Sequence, residues 1–349
     1  DPSDSGAWAT RADVAYASGQ VEQSIPLYDR AIKLLADNRE ALLGRSSALM
    51  DLGRIADAKV TLLELAKAAP KEPRSAYLRA VISELEGDKA ATRKLLNEVI
   101  GIIDPLPRPI LLSRSHLPLI AGLAHLGIGS TAKAREYFEL HGRFFPSQPA
   151  SRKPLAAIQL AQGDAASALT TLEPLRRSGS SDPEVLTLMA SAYTKLKRHQ
   201  QATDLLEEAA RSSDSPRLQT ALGLSLIGSR QTEAGLQQLR GVLKKVPGQE
   251  GASVVLAVNA LRERKPEQAV ELAEAVLKRE PQNLAAINLL GVARAAAGDV
   301  DGARRAYEQA LSKDKDFDSA KLNLARLDVV EGKPEAARGR LDALIKAKP

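Results

Sequence analysis

The chain has 349 residues, a net charge of +6, 44% hydrophobic residues, only 3% aromatic residues and no cysteine. The mild charge forms no Lys/Arg run and has few rings to interleave, which argues against nucleic acid as a partner. No stretch approaches the roughly 18 apolar residues of a membrane helix, and without cysteine no disulfide can be inferred.

From its first residues the chain repeats every 34 positions. Gly19, Gly53 and Gly87 mark the beat, Gly129 and Gly163 keep it, and Gly298 and Gly332 resume it near the end. Such a period means one supersecondary unit copied many times. Each repeat is expected to be two amphipathic helices, with apolar residues at three-and-four spacing. The glycine between them can take the left-handed conformation that ends a helix. First helices are expected to start at Ser5, Arg39, Pro73, Ser115, Pro149, Pro183, Pro216, Glu250, Leu284 and Asp318, giving ten repeats. The eighth position is small in every repeat, from Ala12 and Ser46 to Gly291 and Ala325, and the twentieth nearly so. Only small side chains let two helices cross at close range. The twenty-fourth is usually large, as at Tyr28, Leu62, Phe138, Leu239, Tyr307 and Leu341.

Two irregularities interrupt the pattern. The step from Pro73 to Ser115 is 42 residues. Pro105, Pro107 and Pro109 in this stretch cannot sit in a regular helix interior. A longer loop is expected there, or else a bend or a docking feature built on the apolar Ile110, Leu111 and Leu112. A one-residue deletion near Arg211–Pro216 predicts a tightened loop. The turn glycine is replaced by Lys197, Arg230 and Arg264 in repeats six to eight.

This pattern resembles the tetratricopeptide repeat (TPR) across essentially the whole chain. The resemblance implies an all-α solenoid, a right-handed superhelix of antiparallel helix pairs with about ten repeats. The expected organisation is residues 1–106 for repeats one to three, 107–114 for the proline-rich insertion, and 115–349 for repeats four to ten. The chain begins at Asp1 without Met and closes at Pro349, in repeat ten at the place where proline closes several repeats. Any targeting signal, lipid anchor or further repeat is expected to lie outside it.

A search for chemistry finds no converging titratable groups, so no enzyme is expected. His116 and His125 are nine apart on one helix, unsuited to sharing a metal. No metal and no cofactor are expected. Gly127–Ala134 superficially looks like a phosphate loop but lacks the Gly-Lys-Ser/Thr ending and follows no strand.

The expected surface for work is the inner groove, lined by positions two, five, nine, twelve and thirteen of the first helices. Positions five and nine supply the candidate partner-binding residues. In the first half they are Tyr77, Val81, Leu119, Leu123, Lys153 and Ala157. Later come Thr187, Ser191, Thr220, Leu224, Val254 and Val258, then Asn288 and Val292, with Leu261 at position twelve. Leu43, Leu160 and Leu322 extend the lining. Charges sort along the chain: Asp13, Glu40, Asp51 and Glu84 come early, with Arg74 the exception. Lys195, Arg217, Arg262 and Arg326 come later, with Glu184 the exception. The expected groove has an acidic entry and a basic, partly apolar remainder, suited to an extended or helical protein segment. Lys153 stands where chaperone-tail binders carry a clamp lysine, but Ala157 breaks that set. Asn288 is too isolated to resemble the asparagine ladder of the sugar-transferase arm.

Ser151–Leu175, Leu218–Leu239, Asn288–Leu311 and Ala320–Ile345 resemble a more specific family, the TPR lipoproteins of the PEP-CTERM/exosortase system (PrsT), linked to bacterial exopolysaccharide production. That resemblance implies a periplasmic scaffold for a secretion or protein-sorting machine. It would be held at a membrane only through an N-terminal lipid anchor, with exopolysaccharide involved indirectly. The alternatives are the regulatory arm of a larger enzyme, a direct polysaccharide binder and a cytoplasmic assembly protein.

Overall fold

A computed structural model describes residues 3–347. Asp1 and the closing Pro349 lie outside them. Among the described residues the chain is helical, with no strand. Repeat one is α1 (Ser5–Ala17) with α2 (Val21–Leu34), repeat two α3 (Arg39–Asp51) with α4 (Ile55–Ala68), and repeat three α5 (Pro73–Leu85) with α6 (Lys89–Ile103). A short α7 (Arg108–Leu111) precedes repeat four, α8 (His116–Gly127) with α9 (Thr131–Phe144). Repeat five is a single 3-10 turn, Pro149–Ser151, running into α10 (Arg152–Ala161), then α11 (Ala165–Arg177). Repeat six is α12 (Pro183–Lys195) with α13 (His199–Ala210), and repeat seven α14 (Pro216–Gly228) with α15 (Thr232–Lys245). Repeat eight is α16 (Glu250–Arg262) with α17 (Pro266–Arg279), repeat nine α18 (Leu284–Ala296) with α19 (Val300–Lys313), and repeat ten α20 (Asp318–Val330) with α21 (Pro334–Ala347). No described helix is long and apolar enough to cross a membrane.

The chain forms two compact bodies, Asp1–Gln162 and Gly163–Pro349. In each, a helix packs on its partner and on the next repeat, so every core cluster spans neighbours only, as expected of a solenoid. The eighth positions are all buried. Gly122, Gly223 and Gly291 are glycine for a visible reason. A Cβ there would come within 2.6 Å of Phe138 and 2.7 Å of Leu239, and would overlap the Tyr307 ring, respectively.

The turn between the helices of a repeat is a left-handed cap. In repeat one the Gly19 amide donates to the Tyr16 carbonyl at 3.0 Å and the Gln20 amide to that of Ala15 at 2.9 Å. The pair satisfies carbonyls that the helix end would leave bare. Lys197, Arg230 and Arg264 make the same two bonds at φ 60°, 69° and 59°. An L-residue there costs about 1–2 kcal/mol, partly offset because glycine loses more chain entropy on folding. Each single change to glycine is therefore expected to raise stability by up to about 1 kcal/mol, read by denaturant unfolding. A loss of stability would show that these side chains hold the turn.

The longer connection between α6 and α8 carries one short helical turn, α7. Pro109 sits in the first turn of α7, where its missing amide hydrogen leaves nothing unpaired. Leu111 folds back into the cluster of Leu96, Val99, Ile103 and Leu117, while Ile110 stays exposed. The deletion near Arg211–Pro216 is taken by α13, which stops at Ala210 after 12 residues.

Candidate partner-binding site

In the N-terminal body the first helices lie side by side, and α1, α3, α5 and α8 enclose a cleft of about 400 Å³. Its apolar lining is Leu43, Tyr77, Leu78, Leu119, Ile120 and Leu123, with Asp13, Tyr16, Glu40 and Arg74 among the polar residues. Three candidate residues, Tyr77, Leu119 and Leu123, thus meet at one place. Spacing alone did not reveal Tyr16 and Tyr28. Tyr28 belongs to a second helix and is fully buried. It reaches the cleft because Gly44 leaves room, since a Cβ there would overlap the ring. That mid-helix glycine was the available signal.

Charge around the cleft is tied down. Tyr28 donates to Asp13 at 2.7 Å and Tyr16 to Asp51 at 2.6 Å. Burial, reinforced by Asp51, pushes the Tyr16 phenol up to about 12, and burial with Asp13 pushes Tyr28 higher still. Arg74 grips Glu40 with both guanidinium Nη atoms at 3.0 and 2.9 Å. Its Nε also donates to Glu72 at 2.9 Å. Burial alone would raise Glu72, but Arg74 overrides it and holds the carboxyl below its ordinary range. Burial and Arg74 push His116 down, so it is neutral at physiological pH.

The acidic entry expected from sequence is therefore partly neutralised: Arg74 balances Glu40. Glu72 and Glu40 have lowered folded pKa values, so their contribution is full above the ordinary carboxylate range and is lost as pH falls through and below it. Arg74→Ala is expected to cost about 1–3 kcal/mol at pH 7 and almost nothing near pH 3. Denaturant unfolding at both pH values checks this; an equal loss at both would mean that Arg74 acts by packing alone.

In the C-terminal body Val254 and Val258 meet Ile227, Leu236 and Arg262 around a hollow of about 250 Å³. Leu224 and Val258 are exposed. Val81, Lys153 and Ala157, and also Thr187, Ser191, Leu224, Leu261, Asn288 and Val292, line neither space. Thr220 is buried, and its hydroxyl donates back to the Pro216 carbonyl at 2.7 Å, so it presents no surface. Leu43 and Leu160 are also buried, the first at the cleft floor. Asn288 is not isolated: Asn323 donates to it at 2.9 Å. No group of three or more metal-ligating side chains is present among the described residues.

Two family models, both described as tetratricopeptide repeat, match residues 2–82 with 294–349, and residues 155–216 with 254–320. No curated protein matches the chain. Among solved structures, yeast Tom70 is similar at TM-score 0.55 and 14% identity, over 97% of this chain and 84% of that one. The Cut9-Hcn1 hetero-tetramer of the APC/C gives 0.59 and 14%, over 86% and 58%. The human IFIT1 dimer with m7Gppp-AAAA gives 0.50 and 18%, over 79% and 69%. At these identities the likeness speaks for the fold alone, in agreement with the helix pairs, the left-handed turns and the small crossing residues. With its repeats matched by those models and folded as helix pairs, the chain is a tetratricopeptide-repeat protein, a family of protein-interaction scaffolds.

Proposed function

We propose that the chain is a non-catalytic scaffold that seats an apolar anchor of a partner protein in the first-helix cleft of its N-terminal body. The observation that carries this reading is the cleft itself. Its Leu43, Tyr77, Leu119 and Leu123 face a space of about 400 Å³, and its charged groups are already paired, Asp13 with Tyr28 and Glu40 with Arg74. An apolar side chain entering it leaves those charged pairs intact, which favours an anchor there. The proposed setting is the bacterial envelope, with periplasmic partners from an exopolysaccharide secretion or protein-sorting machine and a lipid anchor supplied outside this chain. That setting is supported by the resemblance of the four segments quoted above, beginning with Ser151–Leu175.

The test is capture from native envelope extract, read by mass spectrometry, with the intact chain, with Leu119→Asp/Leu123→Asp, and with Leu224→Asp/Val258→Asp. Secretion-machine proteins are expected with the intact chain and the last variant, and to be lost with the first. Loss with only the last variant moves the binding surface to the C-terminal body, and persistence with both sinks the proposal. A direct grip on polysaccharide has one observation in its favour: the rings of Tyr16 and Tyr77 both line the cleft. Polymer binding that survives Tyr16→Ala/Tyr77→Ala would remove that reading.

A further inference from the structure

Ten turns join the two helices of a repeat, and seven of them place glycine in the left-handed conformation. The other three place Lys197, Arg230 and Arg264 there, and they are the only non-glycine residues with positive φ among the described residues. They fall in consecutive repeats, six to eight, and all are basic. Strained backbone that a simple substitution would relieve points to a role for the side chain. The next position is not sorted in the same way, since Arg54 and Lys333 follow turn glycines and Gln231 falls in repeat seven, but it adds Arg198 and Lys265 to these turns. Asp88, Asp164 and Asp299 follow their turn glycines and cap the second helix with their carboxylates. Arg198, Gln231 and Lys265 stand there in repeats six to eight and supply no such cap.

Equivalent turns of successive repeats line one edge of the C-terminal body. Lys195, Lys197, Arg198, Arg230, Arg262 and Arg264 are all exposed on it, and none has an ion-pair partner among the described residues. Lys197, Arg198 and Arg230 border a shared open hollow with His199 and Gly228. Of the acids on the edge, Glu263 is held by Lys265 at 2.7 Å, while Glu233 and Glu267 carry no such bond. The cations are scattered in sequence and are gathered only by the stacking of repeats.

We propose that this edge docks an acidic, extended protein segment running across repeats six to eight. One row of cations spaced by repeats matches a chain that carries carboxylates along its length. No exposed aromatic ring lies among the turns for a base or a sugar to stack on. Leu196 is the one exposed large apolar side chain of these three turns, too little to enter a bilayer. The edge is distinct from the cleft of the N-terminal body, so this proposal stands or falls apart from that one.

The test uses the full chain and a fluorescein-labelled oligoglutamate peptide, read by anisotropy. Binding is expected, and it weakens as NaCl rises because exposed charges are screened. The variant Lys197→Gly/Arg230→Gly/Arg264→Gly is expected to unfold later than the parent and yet bind at least about tenfold more weakly. A control, Lys278→Gln/Arg305→Gln/Lys315→Gln, removes the same charge from elsewhere on the body and is expected to keep the parent affinity. The proposal is overturned if the peptide does not bind, if the glycine variant keeps full affinity, or if the control loses as much. Binding only to phosphatidylglycerol vesicles, or only to a carboxylated polysaccharide, overturns it as well.

Discussion

Gly248→Ala is expected to destabilise the C-terminal body by about 2–5 kcal/mol, with the other repeats left intact. Two penalties add at this residue. Gly248 holds φ +73° in the loop between α15 and α16, where any L-residue loses about 1–2 kcal/mol. The added methyl would also overlap the carbonyl of Ala275 on α17, with the carbonyl carbon only 2.7 Å away. Backbone cannot rotate aside as a side chain can, so α17 must shift, and overpacking of this kind costs about 1–3 kcal/mol. Gly53→Ala is the internal control. It has φ +70° and nothing within 4 Å of the new methyl, so only the conformational part, about 1–2 kcal/mol, applies. Unfolding followed by circular dichroism gives both values. Equal losses in the two variants would mean that α17 yields freely, and that the close approach at Gly248 is not a constraint.

Phe138→Ala should remove about 3–5 kcal/mol from the N-terminal body, because a fully buried ring leaves a cavity that its neighbours fill only in part. The more discriminating result concerns its partner. Phe138 lies across Gly122, where a Cβ would stand 2.6 Å from the ring. Gly122→Ala alone is therefore expected to overpack, and Phe138→Leu alone to leave a void. Together they recreate the Ala–Leu crossing that repeat six uses at Ala190/Leu206, both of which are buried. The double variant should be more stable than the sum of the singles predicts, by about 1–2 kcal/mol of coupling. Strict additivity would show that the ring does not set the size of the eighth residue.

These pairs explain why the repeat was legible without a structure. A crossing needs one small and one large residue at fixed positions, and the chain writes that need in nine of its ten repeats, so noise at any one repeat is averaged out. Repeat eight departs most, with Ala257 against Ala269 and Ala273, all buried, and its register was still found because its neighbours fixed it. The candidate site was less legible. Positions five and nine named Tyr77, Leu119 and Leu123, but Tyr28 was assigned to packing, and its hydroxyl on Asp13 depends on the room left by Gly44. Thr220 had the right position and the wrong exposure, since its hydroxyl turns back onto its own helix. Position in a repeat fixes which face a residue shares, whereas exposure depends on how closely the neighbouring helices approach.

By itself the sequence determined the helix pairs, their ten-fold register, the left-handed turns and the small residues at each crossing. All of these follow from local periodicity, backbone sterics and volume within one or two adjacent helices. Only the tertiary structure decided that the proline-rich stretch contributes Leu111 to a core. It also decided that Arg74 neutralises the carboxylates at the cleft, and that Lys197, Arg230 and Arg264 come to lie along one edge. Those outcomes join residues up to 67 positions apart in the chain, and such distant groups interact only once the stacking of repeats has brought them together.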